Sequence, residues 1–138
     1  MKLVIAIVLA LVTGIVVFNL PAPSQQFKSV TVPAEAYEET AKDIARRIND
    51  LSPMPPVEHS WIASEVEFAK DTAYAYVIYH DTRNIFRILL EVGQNNQYRT
   101  AAAFEPAEAS ATAGTAKWRL IGGQDLAARL ETVKISPN

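Results

Sequence analysis

Three neighbouring runs of this chain, Trp61–Lys70, Ala73–His80 and Ile85–Val92, alternate with a period of two, and the turns between them restrict how they can pair. If Asp71-Thr72 makes a tight turn, Phe68 faces Ala75, Val66 faces Val77 and Ser64 faces Tyr79. If Asp81–Asn84 closes the next hairpin, Tyr79 faces Phe86, Val77 faces Ile88, Ala75 faces Leu90 and Ala73 faces Val92. These registers come from different turns. Both place Ile62, Val66, Phe68, Ala75, Val77, Tyr79, Phe86, Ile88, Leu90 and Val92 on one face. A slip of one residue in either hairpin would send a strand's apolar set to the opposite side. The centre of the chain is therefore expected to be an antiparallel sheet with one apolar face.

That face needs a cover, and the segment before it supplies one. Ala34, Tyr37, Ala41, Ile44, Ile48 and Leu51 recur at spacings of three and four, an apolar stripe on an amphipathic helix. Pro33 stands where a first helical residue is favoured, Glu35, Glu38 and Glu39 fall in the opening turns, and Ser52-Pro53-Met54-Pro55-Pro56 ends the helix. The same stripe suits a coiled coil, but a helix this short gains most by docking on its own sheet. After the Gly93-Gln94-Asn95-Asn96 turn, Gln97–Glu105 reads as a fourth strand. Its buried set would be Tyr98, Thr100, Ala102 and Phe104, which requires a turn of odd length. Lys117–Ile121 reads as a fifth strand with Trp118 and Leu120 inward. Asp125 is placed to cap a short helix through Leu130, and Val133 and Ile135 to form a last edge strand. Pro106–Thr115 is a low-complexity loop.

The expected class is α+β, with one helix on a four- to five-stranded antiparallel meander. In order of elements alone this resembles the layout of cystatin-like and NTF2-like domains. The domain would comprise residues 33–138, preceded by a linker over 25–32.

Residues 1–24 are of another kind. Between Leu3 and Phe18 the only polar side chain is Thr13, and Pro21 and Pro23 follow. Sixteen residues make a helix of about 24 Å, which Asn19 and Leu20 extend towards the ~30 Å of a bilayer core. Two readings stand: an uncleaved signal anchor, or a signal peptide cut after Ser24 to release a periplasmic or secreted protein. Both put residues 25–138 outside the cytoplasm. The chain has no cysteine, which excludes disulfides, thiol catalysis and a lipid-modified cysteine. Every acidic residue lies in the exported part and no basic stripe appears, which argues against a nucleic-acid partner.

The sheet face away from the helix would carry Trp61, Glu65, Glu67, Tyr74, Tyr76, His80 and Arg87, with Glu65 beside Ile78 and then Arg87, and Glu67 beside Tyr76 and then Leu89. An ordinary solvated face accounts for cross-strand tyrosines and ion pairs. Aromatic side chains with arginine are also the types that anchor interfaces, which makes these seven residues the candidate binding set. Catalysis has less to stand on. His59 and His80 are the only histidines, and adjacent residues on a strand point to opposite faces, so Glu58-His59-Ser60 makes no triad. No catalytic residue, metal site or cofactor is assigned. The expected role is an exported, membrane-anchored binding or assembly module of the cell envelope, with a protein partner at the outer sheet face. The alternative is a small-ligand-binding or hydrolytic domain with an NTF2-like pocket.

Overall fold

A computed structural model describes residues 27–57, 59–108 and 117–138. The apolar run Leu3–Phe18 and most of the low-complexity stretch lie outside them. Among the described residues no helix is long and apolar enough to cross a membrane.

The helical stripe forms over Tyr37–Leu51, here α1, and buries Tyr37, Ala41, Ile44 and Ile48. Pro33 is not its first residue. A 3-10 turn over Ala34–Ala36 comes between, with Pro33 extended just before it, and Ala34 remains exposed. The helix stops where the prolines begin, the Ser52 N–H closing on the Ile48 carbonyl at 2.9 Å.

Beneath it lie six antiparallel strands: β1 (Ile62–Ala69), β2 (Tyr74–His80), β3 (Ile85–Val92), β4 (Tyr98–Pro106), β5 (Trp118–Gly123) and β6 (Thr132–Ile135). They are ordered β5-β4-β3-β2-β1-β6. The architecture is thus α+β, and the sixth strand is the edge strand expected at Val133 and Ile135, added to a five-stranded meander. Both central hairpins have the expected register from Val66 onward: Val66 pairs with Val77 and Phe68 with Ala75, then Val77 with Ile88 and Tyr79 with Phe86. The core between helix and sheet holds Ile44, Ile48, Val66, Phe68, Val77, Tyr79, Ile88 and Leu90, each at most 1% exposed. The Tyr37 ring stacks on Phe68 at 4.3 Å.

Two bulges alter the expected faces. In β1 the pairing shifts between Ala63 and Glu65, so that Ala63, not Ser64, opposes Tyr79. Ser64 is the extra residue, and its hydroxyl donates to the Ile78 carbonyl at 3.2 Å. Parity therefore reverses before the bulge. Ile62, expected in the core, is 53% exposed, and Trp61, expected outside, is 3% exposed in the helix-side core. Asn49 of α1 holds the Trp61 backbone at both ends, and the indole N–H donates to the Met54 carbonyl at 2.8 Å. In β4 the shift falls at Ala101. The five-residue turn after Val92 is odd, as required, and Tyr98 and Thr100 face the helix: the Tyr98 hydroxyl donates to Asp43 and Thr100 to the Leu51 carbonyl. Past the bulge, Ala102 and Phe104 turn to the opposite face and Ala103 enters the helix-side core. Trp118 and Leu120, which pair with Pro106 and Phe104, follow them to that opposite face rather than inward.

The last correction concerns the route from β5 to β6. These strands lie at opposite edges of the sheet, and residues 124–131 between them carry a turn but no helix, so Asp125 caps nothing. Five strand spacings of about 4.8 Å must be bridged. Eight residues reach at most ~29 Å. The segment is therefore a strap drawn across the sheet with little slack, on the face away from α1.

Candidate functional site

The strap divides the second face of the sheet. Where it crosses, Ala127 is buried in a small core with Ala69, Tyr76, Leu89, Ala102 and Phe104. The bulge in β4 leaves the Ala101 carbonyl free to accept the Gln124 N–H at 3.0 Å. The Tyr76 hydroxyl donates to the Asp125 carboxylate. At the far edge the Lys70 N–H donates to the Glu131 carbonyl, and their side chains pair at 2.9 Å.

Six of the seven candidate residues lie on this face: Glu65, Glu67, Tyr74, Tyr76, His80 and Arg87. Trp61 does not, for the reason given by the β1 bulge. Glu65 does neighbour Ile78 and then Arg87, and Glu67 neighbours Tyr76 and then Leu89. The face is less open than the alternation implied. Tyr76 is 4% exposed and Ile78 2%. Arg87 lies over the Tyr76 ring at 3.7 Å, with Phe104 and Trp118 at 5.6 and 5.9 Å. It reaches Glu67 at 3.7 Å, and its buried Nε has no hydrogen-bond partner among the described residues. Glu65 lies against a different cation, Lys134, at 3.8 Å. Trp118, Leu120 and Asp125 belong to this surface too. Alternation does not reveal them, because Trp118 and Leu120 follow the bulge in β4 and Asp125 follows the strap.

At the end of the sheet where Tyr74 stands, Glu91 is buried, and one guanidinium nitrogen of Arg99, Nη2, donates to both its carboxylate oxygens at 2.9 Å. Ser29 donates to the same carboxylate, and Arg99 covers the Phe27 ring at 4.6 Å. The segment before the domain is thereby fixed to the sheet, and the Ser29–Gly93 bridge and the bond from Val30 N–H to the Val92 carbonyl continue the attachment. His80 stands at the other end, on a surface cleft of about 600 Å³ lined also by Asp81, Arg83, Glu105 and Arg119. Glu105 and Arg119 pair across it. His59 is exposed beyond β1. Among the described residues no three His, Asp or Glu side chains converge as metal ligands.

Burial raises the pKa of four phenols, Tyr74, Tyr76, Tyr79 and Tyr98. Burial pushes Tyr79 up to about 12, against an ordinary 10.0. Burial, and then the carboxylates of Asp125 and Asp43, push Tyr76 and Tyr98 well above the ordinary value. A phenol whose pKa rises on folding leaves stability whole below pH 10 and removes it as pH climbs through the folded value. Wild-type melts should therefore lose stability steeply above about pH 10. Tyr79→Phe should make that loss shallower, by about 1.4 kcal/mol for each pKa unit removed. An unchanged slope in the variant would show that Tyr79 ionises as freely in the folded chain as in the unfolded one.

Comparison with family models, curated proteins and solved structures finds no match to this chain.

Proposed function

We propose that the chain is a binding and assembly module of the cell envelope. It is held at a membrane through residues 3–20, with residues 25–138 outside the cytoplasm. It meets a protein partner on the part of the second sheet face that the strap leaves open. The supporting observation is the apolar surface of β5. Leu120 is 46% exposed on that face of an edge strand, beside the half-buried Trp118 that packs near Arg87, and Ile121, the extra residue where the β4–β5 pairing shifts, is 44% exposed next to it. Isolated exposed leucines are ordinary. Two large aliphatic residues next to a tryptophan–arginine contact have the composition of an interface anchor. An enclosed pocket between helix and sheet has less to recommend it, since Ile44, Ile48, Val77, Tyr79 and Ile88 occupy that space.

The test is capture with a tagged full-length chain in its native membrane. Trp118→Ala combined with Leu120→Asp should keep the melting curve close to wild type and lower capture by on the order of 30-fold, the equivalent of about 2 kcal/mol. His80→Ala should capture normally. Loss in His80→Ala with retention in the double variant would move the site to the His80 cleft. Alkaline phosphatase fused after Asn138 should be active, and an inactive fusion would refute the placement outside the cytoplasm.

A further inference from the structure

The strap buries one side chain, Ala127, and leaves two large aliphatic ones, Leu126 and Leu130, 43% and 44% exposed. A polar segment would cross the sheet equally well, so the two leucines are not needed for that crossing. They flank Arg129, which is itself exposed.

Their position relative to the incoming chain gives them a use. Ala127 rests on the row formed by Tyr76, Leu89 and Ala102. The next row along the strands is Tyr74, Glu91 and Arg99, about 7 Å away. Arg99 covers Phe27, the first described residue, so strap and entry point share one face and one end of the sheet. Phe27 cannot drift from there, because it fills the space beside Gly93, where a Cβ would meet its ring at 2.7 Å. Nine Cα–Cα steps, over the eight residues 19–26, separate Phe27 from Phe18, the end of the apolar run. Fully extended, they span no more than about 30 Å. Lys28 adds a second exposed cation at this end.

We infer that the strap is a lipid-contacting element: Leu126 and Leu130 enter the interfacial layer of the membrane that holds residues 3–20, with Arg129 and Lys28 at headgroup level. Exposed leucines near cations have a composition that partitions to that layer, about 5–10 Å deep, and the two carboxylates that flank them, Asp125 and Glu131, are engaged by Tyr76 and Lys70. Tether and strap together hold one end of the sheet down, and Trp118 stands four residues of β4 further away, about 14 Å, clear of the lipid. The inference rests on the membrane attachment proposed above.

The absence of cysteine makes the test clean. Single-cysteine variants Leu126→Cys, Leu130→Cys and Ile62→Cys of the full chain would carry an environment-sensitive dye in vesicles of phosphatidylethanolamine and phosphatidylglycerol. All three sites are exposed, so labelling leaves the core intact, and Ile62 marks the opposite end. A nitroxide on the lipid acyl chain should quench the dye at 126 and 130 several-fold more than at 62. Leu130→Asp in the Leu126→Cys background should abolish that difference. Equal quenching at all three sites on a chain that floats with the vesicles overturns the strap contact alone. A chain that fails to float overturns the attachment and the contact together.

Discussion

Val77→Asp should leave no folded protein, and Ile78→Asp should be nearly as damaging. Val77 lies between Val66 and Ile88 in the helix-side core and is fully buried. A carboxylate there has no partner, and burying it costs several kcal/mol against a total stability of ~5–15. On a sheet with one solvated face the next residue would tolerate the change. Here Ile78 is 2% exposed between Glu65 and Arg87, and an aspartate would add a third carboxylate beside Glu65 and Glu67. Both variants should lose the cooperative thermal transition. A folded Ile78→Asp with a wild-type melt would show that the second face is open to water.

The second large effect is expected at Gly123. Its φ is +74°, and an added Cβ would lie 2.0 Å from the Ala101 carbonyl oxygen. The left-handed backbone costs a non-glycine residue roughly 1–2 kcal/mol. The clash is with main chain, which no rotamer relieves, and it falls on the carbonyl that accepts the Gln124 N–H. Gly123→Val should lower the melting temperature by on the order of 10 °C. Hydrogen exchange should accelerate in the strap and β6 while the centre of the sheet over β2 and β3 keeps its protection. Uniform loss of protection would show that strap and sheet open as one unit.

The outcome at these positions shows what alternation can reveal. Hairpin registers were legible because turn length and apolar parity are both local, and from Val66 through Leu90 they agree. Trp61 and Ile62 were not, because one serine that bonds a neighbouring carbonyl reverses the parity of every residue before it, and nothing in its spacing marks Ser64 as a bulge. Ala101 has the same effect on β4, and through β4 on Trp118 and Leu120. The two edge residues Val133 and Ile135 were legible as a strand, but which edge they occupy is set by a contact distant in sequence. The candidate surface was affected in turn: its cross-strand neighbours were readable, and its cover was not.

Pairing of β6 with β1 joins Ile135 to Val66, so the final strand closes against one made half a chain earlier. A chain delivered from its N-terminal side can build β1 to β5 and dock α1 while residues 124–138 are still in transit. During that interval the outer edge of β1 offers unpaired N–H and C=O groups, and Tyr76, Leu89 and Phe104 lack their lid. The nascent domain is therefore most open to misassociation until the strap and β6 have arrived. Residues 1–123, which lack the strap and β6, should form a sticky, self-associating chain rather than a smaller version of the same domain.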